Sequence, residues 1–309
     1  MSTGLEEVED ILEEDVEIPE AFEPELVDML PRGYLSPSQV NTYLRCPRQW
    51  ELTYVEGKPR RTSARMFQGV FIHAAVEKIL KDRLDTGDLP PLDVATDAFS
   101  DAYEKSKNLI DDWEDSDEGK LKDVGVKGTT AYYESAAREA TPISVEKTFT
   151  AVIKEPGGRI KLPVLGRIDS IQVQAASERQ YQDLREKVAF DEMAEITLPK
   201  RIHDLKVTTT KWSPAKLEND LQFALYAGVE HVPDVQVDQI VKGKAQTPRP
   251  KYEKLSGVFT NAQVKWTERV ILDVGKSIAL GNFPVTSPSN WWCSNQWCSM
   301  WQHCRGRSK

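Results

Sequence analysis

Arg201-Ile202-His203-Asp204-Leu205-Lys206-Val207-Thr208-Thr209-Thr210 decides how this 309-residue chain is read. The stretch is rich in Ile, Val and Thr and predicts a β-strand. Side chains of a strand alternate between faces, so Asp204 and Lys206 share one. Upstream, 161–174 predicts a second strand, carrying Gly166-Arg167-Ile168-Asp169. A third is predicted at 144–153, with Gly157-Gly158 as the hairpin signal between them. The polar segment 175–195 reads as helical, an insertion or long connection. Downstream, 213–232 predicts a helix opened by Ser213-Pro214. Strands follow at 235–241 and 255–259, then a helix at 261–280 ended by Gly281. The N-terminal half has helical spacing. Ser36-Pro37 opens 36–54, and 64–84 repeats Val70, Ile72, Val76, Ile79 and Leu80 up to Gly87. Segments 91–113 and 120–140 also read as helices. No internal repeat is present. The order predicts an α/β fold with one central mixed β-sheet flanked by helices.

Charge first argues against a nucleic-acid partner, because the whole chain carries −9. Residues 1–31, however, hold twelve acids and no Lys or Arg. They account for −12, which leaves +3 for 32–309. With few aromatics and three prolines, 1–31 predicts a disordered tail. It serves as a solubilising segment, a decoy competing with DNA for a basic groove, or a docking segment. Basic residues cluster at 45–65, at 242–254 and over the last five residues, as at sites that neutralise phosphates. No apolar run approaches the ~20 residues of a membrane span. The acidic start lacks the pattern of a secretory signal. Four cysteines are too few for a disulfide scaffold.

The chemistry lies in four short motifs. Gly69-Val70-Phe71-Ile72-His73-Ala74-Ala75-Val76-Glu77 puts His73 and Glu77 on one helix face. Gly166-Arg167-Ile168-Asp169 places Asp169 on a strand. Asp204-Leu205-Lys206 lies on the next, and Gln222 and Tyr226 share a face of the following helix. If the two strands pair, Asp169 and Asp204 bring two carboxylates together, which repel unless one protonates or a cation intervenes. Mg²⁺ favours such hard oxygen ligands and keeps waters, leaving room for a phosphate oxygen. Lys206 would then orient or deprotonate the attacking water, or stabilise developing charge. Singly, each motif has an ordinary reading: a strand pair, a helix-surface ion pair, a chance spacing. Their order along helix, strand, strand and helix points to phosphodiester hydrolysis.

That ordered set resembles the RecB-like branch of the PD-(D/E)XK nuclease superfamily. So does the opening from Leu35-Ser36-Pro37-Ser38 through Tyr43-Leu44-Arg45-Cys46-Pro47-Arg48-Gln49-Trp50 to Tyr54. The resemblance implies a restriction-endonuclease-like core forming a single nuclease domain over 32–309. It implies that His73, Asp169, Asp204 and the main-chain carbonyl of Leu205 bind Mg²⁺ or Mn²⁺, with Lys206 serving the water. Gln222 and Tyr226 would support the site or contact DNA, and Glu77 would support His73. The implied activity is a metal-dependent deoxyribonuclease, an exonuclease of recombination, repair or DNA-end processing in a bacterial or phage-infected cytoplasm. Its implied partners are DNA ends and an annealing protein, a helicase or a CRISPR integrase. No Walker A sequence is present, so any motor is a separate chain. The competing readings are a non-catalytic DNA-end-binding or scaffold subunit, and an endonuclease or a nuclease acting on RNA.

Cys46 stands near one end, and Cys293-x4-Cys298-x5-Cys304 near the other. Four thiolates suit a [4Fe–4S] cluster or structural zinc, with His303 as an alternative ligand. The arrangement is similar to the iron–sulfur RecB-like nucleases, which include the AddB type and the CRISPR-associated exonucleases. There one cysteine precedes the nuclease motifs and three follow, usually as C-x2-C-x5-C; here the first gap is x4. The resemblance implies a C-terminal metal-cluster region joining the two ends of the domain. Trp291, Trp292, Trp297 and Trp301 would shield a cluster or stack on unpaired bases; shielding is the commoner use of aromatics.

Overall fold

Among the described residues, five strands form one mixed sheet in the order β1 (Pro142–Lys154), β2 (Lys161–Val173), β3 (Lys200–Thr208), β4 (Asp234–Val241), β5 (Lys251–Val258). The helices are α1 (Pro37–Arg45), α2 (Pro47–Tyr54), α3 (Ala64–Thr86), α4 (Leu92–Ser106), α5 (Glu118–Tyr132), α6 (Glu178–Phe190), α7 (Pro214–Glu218), α8 (Leu221–Glu230), α9 (Asn261–Ala279) and α10 (Trp301–Cys304). This computed structural model describes residues 28–305 except 114–115, 158–159, 191–195 and 244–248. The acidic segment up to residue 27, and Gly158 of the hairpin signal, therefore lie outside the described residues.

The strands pair as the sequence order demands. β2 runs antiparallel to β3, with Ser170 opposite His203 and Val173 opposite Lys200. β3 and β4 are parallel, with Asp204 opposite Val237 and Leu205 opposite Asp238. A parallel pair needs a crossover, and α7 and α8 supply it. β4 and β5 are antiparallel. The expected α/β architecture with a helix-flanked mixed sheet is the observed one.

Contacts divide the described residues into two compact units. One comprises Ser63–Thr148 and Arg167–Asn261. In it α3 is the central helix. Ser63 caps its start by accepting from Met66 N at 3.3 Å, and Gly87 ends it at φ 83°, where a Cβ would be strained. Phe67, Phe71, Ile72, Ala75, Ile79 and Leu80 are all buried. Each large apolar side chain contributes about 1.5–3 kcal/mol, more than the ~1 kcal/mol of a cap. Packing therefore holds α3 more than its ends do. Phe71 meets Phe99 of α4 and Tyr103 edge-on at 5.9 and 5.6 Å.

The other unit comprises the described parts of Met1–Thr62, Phe149–Gly166 and Ala262–Lys309. Ser36 accepts from Gln39 N at 3.3 Å and Pro37 opens α1, as the sequence predicts. The single helical segment read at 36–54 is two helices. Pro47 pushes Cys46 out of the helical region, and Cys46 sits extended at φ −160° between α1 and α2. Trp50 of α2 stacks on Phe283 with centroids 5.7 Å apart, and Tyr43 donates to Asn282 O at 2.5 Å. Gly166 is fixed by close approach: a Cβ there would lie 2.6 Å from Phe149 Cζ.

Other boundaries also moved. The helix read at 213–232 breaks between α7 and α8, because Asp220 accepts from Gln222 N at 2.9 Å and starts a new helix. The segment 91–113 leaves the α-helix at Ser106 for a 3₁₀ turn, Lys107–Leu109. The helix read at 120–140 starts earlier, on the cap Asp117, and ends in a π-turn, Tyr133–Ala137. β5 starts earlier than the strand read at 255–259. The polar connection 175–195 does carry a helix, α6.

Candidate active site

Four elements of the unit containing α3 converge: β2, β3, α3 and α8. Asp169 of β2 lies one step beyond the Ser170–His203 pair, level with the part of β3 that carries Asp204 and Leu205. Its Oδ2 accepts from Leu205 N at 2.7 Å and stands 3.5 Å from His73 Nδ1 on α3. On β3, alternation puts Asp204 and Lys206 together: Oδ2 and Nζ are 2.6 Å apart. From α8, Gln222 Nε2 donates to Asp204 Oδ1 at 3.2 Å and to Tyr226 Oη at 2.7 Å, and Tyr226 donates to Arg167 O at 2.6 Å. The break at Asp220 thus sets the register of the helix that reaches Asp204. Glu77 lines the same cavity as His73, Asp169 and Asp204, but its carboxylate pairs with Lys81 Nζ at 2.6 Å.

The electrostatics are those of crowded, dehydrated charge. Asp204 is 1% exposed, and burial pushes its carboxyl up to about 7, with Asp169 adding and Lys206 opposing. Burial alone would lower the Lys206 ammonium; Asp204 and Asp169 outweigh it, and its pKa lies above the ordinary lysine value. Lys206 is therefore a proton donor and cation here, not a free base. Burial holds the His73 imidazole below its usual value, against the pull of Asp169.

Sequence reasoning missed three contributors. Glu146 of β1 lines the cavity and pairs with Arg167 Nε at 2.6 Å. Burial and Asp169 push its carboxyl up to about 8. Its φ of 53° is left-handed, which a non-glycine residue rarely adopts. An acid inside a Val- and Thr-rich strand was the only signal. His203 and Asp238 were missed too: His203 Nδ1 lies 2.9 Å from Asp238 Oδ2, while Gln236 and Tyr252 donate to Asp238 Oδ1 at 2.7 and 2.6 Å. That network needs the parallel β3–β4 pairing, which local pattern does not reveal. With Tyr132, His203 and Asp238 also border a polar cavity of about 420 Å³ beside the site.

Among the described residues, no group of three or more His, Cys, Asp or Glu side chains converges on a metal position. The donor chemistry still fits Mg²⁺ or Mn²⁺. Two carboxylates and a main-chain carbonyl are hard oxygen ligands, and Mg²⁺ needs only one or two carboxylates beside waters. Asp204 Oδ2 is buried, and the Lys206 ammonium 2.6 Å away is the charge that faces it. The cavity offers about 10 Å³, roughly the space of one water-sized sphere. A divalent cation there would offset the burial and the lesser Asp169 repulsion that raise Asp204.

The cysteines lie in the other unit. Burial raises the Cys298 thiol, and Cys46, Cys293 and Cys304 are near enough to add to it. Burial raises Cys304 as well. All four are half-buried and free of disulfides. Trp292 and Trp301 beside them are half-buried, but Trp291 and Trp297 are 67% and 49% exposed. Shielding, the commoner use, does not describe those two.

Residues 34–192, more than half of the chain, match the profile of the PD-(D/E)XK nuclease superfamily. The chain belongs to that superfamily. The match takes in His73, Glu77 and Asp169 and stops before Asp204, so the Asp-x-Lys of this nuclease-superfamily chain rests on its geometry. No curated protein matches it. Solved structures it resembles include a protein of Eubacterium rectale described as a "putative exonuclease", at 9% identity over 94% of each chain with a TM-score of 0.48. Another is SSO0001, at 13% identity over 88% of this chain and 96% of that one, with a TM-score of 0.34. Likeness this distant carries no functional information. Among the described residues, no helix is long and apolar enough to cross a membrane.

Proposed function

We propose that this chain is a Mg²⁺- or Mn²⁺-dependent DNA exonuclease acting in recombination, repair or DNA-end processing. The observation that carries the reading is the Asp204–Lys206 pair, 2.6 Å apart, beside Asp169. A bound cation would act as Lewis acid on the phosphate and lower the pKa of its water. Asp169, Asp204 and the Leu205 carbonyl would hold it, with His73 adjoining. Lys206 would orient the attacking water and donate to the charge that builds on phosphorus-bound oxygen. Gln222 fixes the Asp204 carboxylate, and Tyr226 fixes Gln222. In the other unit, Cys46, Cys293, Cys298 and Cys304 would hold a [4Fe–4S] cluster, with zinc as the alternative occupant.

Labelled single- and double-stranded DNA with either metal tests the reading. Wild type is expected to release nucleotides from ends, and Asp204→Ala and Lys206→Ala to lose ~100-fold or more of the rate. Chelation of the metal should abolish cleavage. End binding without cleavage under either metal would favour a scaffold subunit. Equal rates in wild type and variants would place the chemistry elsewhere.

A further inference from the structure

Trp291 and Trp297 present a surface that no fold or catalytic role uses. Both are exposed, at 67% and 49%, and their rings meet edge-to-face with centroids 5.6 Å apart at 86°. Trp291 meets Trp292 in the same way, at 5.6 Å and 82°. Each edge-to-face contact occupies a face of only one of its two rings, and both side chains keep large exposed areas. Exposed indole faces lose the favourable burial that large aromatics normally gain, so a partner that covers them is worth seeking.

The setting is cationic. From Asn282 to Lys309 there is no Asp or Glu. The segment after α2, Gly57-Lys58-Pro59-Arg60-Arg61, also lacks acids and runs beside the tryptophan turn. Arg61 donates to Gln296 O at 2.9 Å, next to Trp297, and Arg61 N to Ser299 O at 3.4 Å. His303 Nε2 lies 3.0 Å from Pro59 O. Arg305 lies over Trp301 at 5.9 Å. Glu56, beside the basic segment, pairs with Arg48 at 2.8 Å and Lys58 at 3.6 Å.

We infer that Trp291 and Trp297 form a stacking platform for unpaired bases of single-stranded DNA, with Lys58, Arg60 and Arg61 tracking the phosphates. The inference rests on the DNA-directed reading above and adds the strand state that is recognised. Open aromatic faces accept bases only where these are not already stacked in a duplex, and cations beside them neutralise the backbone. A hydrophobic protein ligand would not use the flanking cations.

The test uses the full chain in chelator, so that binding is read without cleavage. The probe is a fluorescent thymidine oligonucleotide of roughly 16 nucleotides, beside a blunt duplex of equal length. Trp291→Ala/Trp297→Ala is expected to weaken oligothymidine binding by about tenfold or more. Trp291→Phe/Trp297→Phe keeps a π-face and should retain most of the affinity, and duplex binding should change little. Intrinsic tryptophan fluorescence of wild type should be quenched by the oligonucleotide, a readout that needs no variant. Unchanged affinity in the alanine variant, equal loss on duplex and single strand, or no quenching would overturn the platform. Hydrolysis of bis(p-nitrophenyl) phosphate with Mn²⁺ separates this result from the catalytic reading. Wild type and both tryptophan variants should turn it over alike. Intact single-strand binding through the tryptophans with no hydrolysis would uphold the platform and sink the nuclease proposal.

Discussion

Glu146 concentrates the tension of the site in one residue. It holds a left-handed backbone, a buried carboxyl and a place beside Asp169. The backbone conformation alone costs roughly 1–3 kcal/mol and persists where the surroundings impose it. Here Arg167 grips the carboxylate from the neighbouring strand. A carboxyl whose folded pKa is raised binds its proton more tightly in the native state, so stability falls as pH rises from the ordinary carboxylate value through about 8. Glu146→Gln removes that dependence. In metal-free protein, the variant should gain on wild type as pH rises, and the gap should shrink toward acid pH. Urea unfolding followed at several pH values between about 5 and 9 reads this directly. Parallel stability profiles for the two proteins would show that Glu146 does not titrate as the burial implies.

Elements show which information is local. The pairing of Asp204 with Lys206 was legible because alternation along one strand determines it. Ser36-Pro37, Gly87 and Gly281 were legible as helix ends because capping is local chemistry. The split at Asp220 was not, because an apolar period continues across 213–232 and the break lies in local bonds such as Gln222 N to Asp220 Oδ1. The His203–Asp238 network was hidden for a different reason: it forms between parallel strands separated by a crossover. The cysteine element mixes both cases. Pro47 explains locally why Cys46 stands in a non-helical break, while the approach of residues 293–304 depends on packing such as Trp50 on Phe283 and Gln49 on Ser299. If the four thiols hold an iron–sulfur cluster, anaerobically purified protein will be brown, with broad visible absorbance and iron and sulfide in stoichiometric amounts. Cys298→Ser will bleach it. Colourless protein carrying one equivalent of zinc would assign the thiols to a structural zinc instead.

For the whole molecule, net charge is a misleading single number. The chain carries −9, yet residues 1–31 hold −12 and the remainder +3. Toward the DNA of the proposed function, the two segments would act with opposite signs. A tethered polyanion stays at high effective concentration near any cationic surface, so it competes with phosphates without needing a specific contact. Leu30 is buried, so a truncation that spares the fold ends before it, at residue 27. Eleven of the twelve acids go with that segment. Removing 1–27 should tighten DNA binding at low ionic strength. The gain should fade as salt rises, since the Debye length falls to about 8 Å at physiological strength. Thermal unfolding should be unchanged. Titrating wild type and truncated protein with labelled DNA at several salt concentrations measures both the gain and its slope. Equal affinity at low salt would mean that the acids do not compete for the DNA surface, leaving solubility or docking as their role.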